Sequence, residues 1–187
     1  DAYDRYGLFG RDARTVMAHC VYSTDVEIER MRKNRVWIAH CPSSNMNLSS
    51  GIAPVRKYLD MGMHMGLGSD VAGGHTVSMF RAVTDAIQVS KLYWRYFNKN
   101  ADALTFPESF YLVTKGGGSF FGKVGSFEEG YAFDAVIIDD SDVPHPHPLT
   151  VRERMERAFY LELDRIGIVA KYVKGKKTGE HESSMRS

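Results

Sequence analysis

Three short apolar runs of this chain each end in a polar side chain that could do chemistry. Two of them end in histidine, at His19 and His40, and the third ends in Asp70 within a glycine-rich turn. In a parallel α/β barrel, the catalytic residues lie at the carboxyl ends of the strands. A series of two histidines and an aspartate is typical of a divalent-metal site that activates water. The pattern therefore predicts a hydrolytic site formed by strand ends.

Each of the three residues also has a plainer interpretation. Asp70 could bind a divalent metal and accept a proton from bound water, or it could cap a helix or shape a turn. His19 could hydrogen-bond to the reactive water and shuttle a proton, or it could be a core histidine with its partners satisfied. His40 could contact substrate, or it could hold the loop that follows it.

Other polar residues near these strand ends are weaker candidates. Asn45 and Asn47 lie in a serine-rich and asparagine-rich stretch and could hydrogen-bond a ligand, although such residues more commonly shape loops. His75 follows two glycines just after Asp70 and could line a pocket. We expect it instead to be an exposed loop histidine.

The two cysteines and the paired histidines near residue 146 do not indicate reactive sites. Cys20 and Cys41 each follow a strand-end histidine, and no activating partner is evident, so we expect buried structural thiols without a disulfide. His145 and His147 alternate with prolines, which favours a surface loop over a metal site.

Alternating strands and helices must position the strand-end residues. Apolar runs predict strands at residues 15–19, 36–40 and 63–67, and helical periodicity follows each strand. The first helix begins at a capping box formed by Thr24 and Glu27. A polar loop is expected at residues 43–51, and further helices are expected at residues 53–60, 76–97 and 106–114. This alternation predicts successive βα units of a parallel sheet.

The character of the chain changes after residue 116. Glycines separate short β-branched runs at residues 135–138 and 168–173, a turn is expected at residues 175–177, and we predict a small β domain. A complete eight-unit barrel needs about 250 residues, so three units indicate a fragment. The predicted organisation is three barrel units at residues 1–120, a β domain at 121–178 and a disordered tail at 179–187.

Composition excludes several classes of function. The 24 lysines and arginines nearly balance the 23 aspartates and glutamates, so no electrostatic case exists for binding nucleic acid or an anionic membrane. No apolar run approaches the roughly 18 residues that a membrane-spanning helix requires. The first residues also lack the pattern of a signal peptide, and we expect a cytoplasmic protein.

The combined motifs resemble the metal-dependent amidohydrolase superfamily. They are Ala-His at 18–19, Ala-His-Cys-Pro-x-Ser-Asn at 39–45 and Gly-Leu-Gly-Ser-Asp at 66–70, in that order. Residues 125–135 look like the superfamily's return strand into its β-sandwich domain. Within the superfamily, residues 38–51 and 66–74 are similar to the guanine deaminase family. The resemblance extends from about residue 3 to residue 178.

The resemblance implies a fold, a reaction and roles for two residues. The fold is α/β, the carboxyl-terminal part of a TIM-type (β/α)8 barrel with part of a small β-sandwich. The reaction is the hydrolysis of guanine to xanthine and ammonia by a water that Zn²⁺ activates, with Fe²⁺ as the alternative metal. Asp70 matches the residue that binds the metal and contacts both water and purine, and His19 matches the histidine beside that water. His40 is a further substrate-binding candidate.

The resemblance also implies parts that this chain does not carry. The family's other metal ligands and its proton-shuttling glutamate have no counterpart here, so we expect the chain alone to be inactive. The intact enzyme is expected to be a homodimer that acts on a small purine. Two alternatives stay open: a related amidohydrolase that deaminates an S-adenosylhomocysteine-type or triazine-type heterocycle, and a non-catalytic fragment.

Overall fold

A computed structural model describes residues 2–145, 147–161 and 167–178. It divides into two compact units, unit 1 at Asp1–Gly122 and unit 2 at Lys123–Ser187. The predicted tail at residues 179–187 lies outside the described residues. Among the helices that are described, none is long and apolar enough to cross a lipid bilayer.

Unit 1 alternates strands and helices, as the sequence predicted. Its elements are α1 (Ala2–Arg5), β1 (Val16–Ala18), α2 (Asp25–Lys33), β2 (Trp37–His40), α3 (Pro42–Asn47), α4 (Val55–Asp60), β3 (Met65–Leu67), α5 (Met79–Tyr96), α6 (Phe106–Tyr111) and a π-helix (Leu112–Gly116).

The three strands of unit 1 form one parallel sheet in the order β1-β2-β3. Ala18 pairs with Ala39, and His40 pairs with Leu67, so the carboxyl ends of the three strands meet at the same edge. Strand β2 lies in the centre, and its Ile38 is only 1% exposed. The register therefore brings the three predicted strand-end residues to one edge of the sheet.

The helices begin where their sequences provide caps. The Thr24 side chain accepts a hydrogen bond from the backbone of Glu27, whose carboxylate binds the Thr24 amide, and this is the predicted capping box. Helix α5 begins at Ser78, whose side chain accepts from the Arg81 amide. Its residues 82–87 and Val89 are buried.

The prediction of a polar loop at residues 43–51 is wrong for the first half of that segment. Residues Pro42–Asn47 form helix α3, with proline in the first turn, where its missing amide hydrogen and fixed φ are favourable. Ser43, Ser44 and Asn45 are all buried, so their side chains face inward rather than solvent. Polarity at these positions indicates buried hydrogen-bonding groups and not an exposed loop.

Glycines allow β3 to lie directly against the π-helix. A Cβ atom on Gly66 would come within 2.7 Å of Gly117 Cα, and one on Gly116 would come within 2.8 Å of the Met65 carbonyl oxygen. The helix predicted at residues 106–114 thus forms as α6 and continues as the π-helix. The glycines at 116 and 117 have a packing role.

Unit 2 contains an antiparallel sheet of β4 (Ala135–Asp139), β5 (Gly167–Val173) and β6 (Lys176–Thr178), and a helix, α7 (Val151–Leu161). Both strands predicted in this region are present, but Lys176 and Lys177 belong to β6 rather than to a turn. Helix α7 was not predicted. Thr150 and Glu153 form the same reciprocal cap as Thr24 and Glu27, so the sequence did contain its start signal.

Candidate functional site

His19 and Asp70 converge at the carboxyl edge of the parallel sheet. His19 follows β1 and Asp70 follows β3, so their side chains meet across the end of β2. His19 Nε2 lies 3.7 Å from Asp70 Oδ2, and each side chain is 40% exposed. These two residues are the catalytic pair predicted from the sequence, and they lie close enough to contact one small molecule.

Both residues have a left-handed backbone conformation. The φ angles are 69° at His19, 48° at the neighbouring Cys20 and 45° at Asp70. Residues other than glycine seldom adopt this region, and such strain concentrates at functional sites. The turn after β1 is held by hydrogen bonds from the His19 amide to the Ala39 carbonyl (2.9 Å) and from the Tyr58 hydroxyl to the Cys20 carbonyl (2.5 Å).

The Tyr58 hydroxyl donates its hydrogen bond to this turn over a wide range of pH. It is fully buried, and burial raises the pKa of its hydroxyl to about 12. The hydroxyl therefore keeps its proton across the pH range in which proteins are studied, and the Cys20 carbonyl keeps its partner.

Helix α3 holds both sides of the pair. Asn45 Oδ1 lies 2.8 Å from His19 Nδ1, which fixes the imidazole ring. Asn47 Nδ2 donates to the Gly73 carbonyl oxygen (2.8 Å), and Ser43 Oγ lies 2.9 Å from His75 Nδ1. These two contacts hold the loop that contains Asp70. The loop-shaping role predicted for Asn45 and Asn47 does not include these long-range contacts.

The glycines after Asp70 leave space beside its carboxylate. A Cβ atom on Gly73 would lie 2.7 Å from Ser44 Oγ and 2.8 Å from Asp70 Oδ2. Gly74 is equally restricted, because its Cβ would lie 2.4 Å from the Ser69 carbonyl oxygen. Real Cβ atoms do not approach other atoms so closely, so a larger residue at position 73 would displace both the Ser44 hydroxyl and the Asp70 carboxylate.

His40 ends β2 at this same edge, but its side chain is buried. It is 2% exposed, and burial, with a smaller contribution from the charge of His19, lowers its pKa to about 4. His40 is therefore neutral near pH 7. This burial supports the alternative in which His40 stabilises the segment that follows it, and its role in substrate binding stays a prediction.

The remaining candidates do not join the pair in a larger reactive cluster. His75 is exposed and contacts Ser43, and His145 and His147 lie exposed in their loop, as expected. Cys20 and Cys41 are free thiols, and burial is the main cause that raises the pKa of each. A raised pKa leaves little thiolate at neutral pH, which agrees with a structural role.

The donor atoms of the pair match part of a zinc site. Carboxylate oxygen and imidazole nitrogen are both ligands of Zn²⁺, and catalytic zinc sites use three protein ligands. Within the described part of the chain, no group of three or more His, Cys, Asp or Glu side chains could hold a metal. Asp70 therefore fits as one ligand of a larger set.

This chain is similar in sequence to a known protein family and to proteins of known function. Residues 1–180 match the model of the Amidohydrolase family. The chain is 39% identical to guanine deaminase of Dictyostelium discoideum over 94% of its own length and 40% of that protein. It thus spans about two-fifths of the length of this curated relative.

Solved structures agree with the sequence match. A guanine deaminase from C. acetobutylicum, crystallised with guanine in its active site, is 51% identical with a TM-score of 0.88, over 94% of this chain and 41% of that one. The E. coli guanine deaminase is 29% identical with a TM-score of 0.81, over 96% of this chain and 42% of that one. Because the family model matches nearly every residue, this chain belongs to the amidohydrolase family.

Proposed function

We propose that this chain provides part of the active site of a guanine deaminase, which converts guanine and water to xanthine and ammonia. The observation that carries the proposal is the convergence of His19 and Asp70, 3.7 Å apart, at the carboxyl edge of the parallel sheet. The similarity to guanine deaminases, one of them with guanine bound, supports the choice of substrate.

The pair is suited to orient and deprotonate one water. At a separation of 3.7 Å, Nε2 and Oδ2 can each accept a hydrogen bond from the same water molecule. Its oxygen lone pairs then face away from the pair, towards the substrate. The pair takes a proton as the water oxygen bonds to the ring carbon that carries the amino group, and the ring C=N double bond opens so that its electron pair moves to the ring nitrogen, which is protonated. The bond from that carbon to the amino nitrogen then breaks, the proton passes to the departing nitrogen, and ammonia leaves.

Asp70 would also hold the metal. A zinc ion, when bound, lowers the pKa of water towards neutrality, and Fe²⁺ is the alternative. The space that Gly73 leaves beside Asp70 Oδ2 keeps this carboxylate open to a ligand. The other metal ligands and the group that protonates the purine ring would come from outside the described residues.

The remaining parts of the proposal concern the whole enzyme. We infer that unit 1 contributes three βα units to a TIM-type barrel and that unit 2 contributes strands to a β-sandwich. The parallel order β1-β2-β3 and the amidohydrolase structures that match this chain support this assignment. A homodimer remains a prediction from the family resemblance, and a cytoplasmic location remains a prediction from the sequence.

A chimera tests the proposed function. The segment of the C. acetobutylicum guanine deaminase that aligns with this chain is replaced by residues 1–187, and xanthine and ammonia are measured with guanine as substrate. We expect conversion of guanine and a loss of about 10³-fold or more in kcat for Asp70→Asn. The exposed Asp142→Asn in unit 2 is the matched control and should retain full activity.

The outcomes separate the alternatives. A folded, zinc-containing chimera that deaminates an adenosine-type or triazine-type substrate but not guanine would overturn the substrate assignment. A folded chimera that is inactive on every substrate would favour the non-catalytic alternative. If the full replacement does not fold, transferring only residues 15–75, which contain both His19 and Asp70, keeps the test decisive.

A further inference from the structure

The side chain of Asn45 is a buried amide, and its contact with His19 explains why an amide is present there. It is 2% exposed, and its Oδ1 lies 2.8 Å from His19 Nδ1. Its Nδ2 has no hydrogen-bond partner among the described residues. A buried amide with one half unsatisfied costs stability, and a leucine of similar size would avoid that cost. The contact with His19 is therefore what this asparagine provides.

This contact determines where the imidazole carries its proton. An amide oxygen only accepts hydrogen bonds, so His19 must donate from Nδ1. A neutral imidazole has one N–H, and Nε2 is then left with its lone pair facing Asp70 Oδ2. The same contact thus prepares Nε2 to accept a proton.

The distance to Asp70 supports this orientation of the amide. If the amide were reversed, Nδ2 would donate to His19 Nδ1, and the ring would carry its proton on Nε2. That N–H would then face a carboxylate, and such pairs close to about 2.7–2.9 Å. The separation of 3.7 Å is too long for that hydrogen bond.

We propose that Asn45 is a positioning residue that holds His19 in the Nδ1–H tautomer, so that Nε2 can accept a proton from the water beside Asp70. The catalytic consequence rests on the proposed function, whereas the tautomer can be measured without it. Asn47 is the natural comparison, because it lies on the same helix and holds the Gly73 carbonyl but does not contact His19.

Nuclear magnetic resonance tests the tautomer in the full chain. Long-range ¹H–¹⁵N spectra distinguish the two ring nitrogens of each of the seven histidines, and His19→Gln identifies the His19 signals. At a pH above the ordinary imidazole range, we expect His19 to be in the Nδ1–H form. Asn45→Leu should shift it towards Nε2–H, Asn45→Asp should restore Nδ1–H, and Asn47→Ala should leave it unchanged.

Kinetics of the chimera then test the consequence for catalysis. We expect Asn45→Leu to lower kcat by about 10- to 100-fold with little change in KM, and Asn45→Asp to recover part of the loss. A wild-type His19 in the Nε2–H form would overturn the proposal, as would an unchanged tautomer in folded Asn45→Leu. A chimera that does not deaminate guanine, combined with the expected spectra, would refute the proposed function alone.

Discussion

The two units of this chain use their strands in opposite ways. In unit 1, three parallel strands place their carboxyl ends at one edge, and His19 and Asp70 meet there. In unit 2, the antiparallel strands send successive ends to opposite edges, and residues along β5 alternate between more exposed and more buried. Parallel pairing places the functional side chains of several strands at a single edge of the sheet. Antiparallel pairing with alternating burial forms a structural sheet with one face exposed to solvent.

The units also differ in how deeply their strands are buried. Ile38 on β2 is 1% exposed, whereas Ile137 on β4 is 47% exposed. A site at a sheet edge needs rigid support below it, and unit 1 provides that support with a buried central strand. We therefore expect mutations to separate the proposed catalytic contribution of unit 1 from the structural contribution of unit 2.

The largest expected effect on stability comes from a mutation in the core below the site. Ile38→Ala should lower the free energy of unfolding by about 2–5 kcal/mol, because it leaves a cavity in the centre of unit 1. Ile137→Ala, the same change on an exposed strand, should cost less than about 1 kcal/mol. Both tryptophans, Trp37 and Trp94, lie in unit 1. Urea denaturation followed by their fluorescence should therefore shift for Ile38→Ala, and equal shifts for the two variants would contradict the comparison.

A smaller change should disturb the site and leave the core intact. Gly73→Ala places a Cβ atom 2.7 Å from Ser44 Oγ and 2.8 Å from Asp70 Oδ2, so the carboxylate must move. Displacing a reactive group by about 1 Å can cost about 10²-fold in rate, and we expect a loss of that order in kcat of the chimera. Gly167→Ala in unit 2 meets no atom within 4 Å and is the matched control. Full activity in Gly73→Ala would show that the site tolerates this crowding.

The smallest expected effect on stability comes from removing one ion pair, and each unit provides a pair for this test. In unit 1, the hydrogen bond from Arg56 is the main cause that lowers the pKa of Glu108 to about 2. Because the folded pKa lies below the ordinary 4.5, the contribution to stability is present above about pH 4.5 and is lost as pH falls towards 2. Glu108→Gln keeps an acceptor for the Thr105 cap and should cost about 1 kcal/mol near pH 7, after allowance for partial exposure.

The corresponding pair in unit 2 is Asp140 and Arg154. A hydrogen bond from Arg154 lowers the pKa of Asp140, but the arginine side chain is half exposed. Asp140→Asn should therefore change stability less than Glu108→Gln, because solvent screens exposed pairs. Denaturation measured at several pH values between 2 and 7 compares the variants. A larger loss for Asp140→Asn would reverse the expected order.

The strand ends could be predicted because their signal is local. Apolar runs that end in His19, His40 and Asp70 identify three strands, and parallel pairing then brings those residues to one edge. The burial of His40 was also within reach of the sequence. Ile38 and His40 are two residues apart on β2, so they share one face of the strand, and Ile38 belongs to the core.

Helix α3 could not be predicted in the same way. Its serines and asparagines have the composition of a loop, and their partners lie far away in the sequence. Asn45 contacts His19, 26 residues earlier, and Asn47 contacts Gly73, 26 residues later. Local composition cannot reveal such partners, because the tertiary fold alone decides whether a polar side chain meets water or another residue.

The left-handed backbone at His19, Cys20 and Asp70 creates a conflict between stability and activity. Glycine adopts such φ angles without steric cost, so replacing Asp70 by glycine would relieve strain and remove the carboxylate in a single step. Selection for thermal stability alone would thus tend to remove His19 and Asp70, the proposed catalytic pair. A library built to stabilise this protein should hold these three positions fixed and seek its gains in the exposed strands of unit 2.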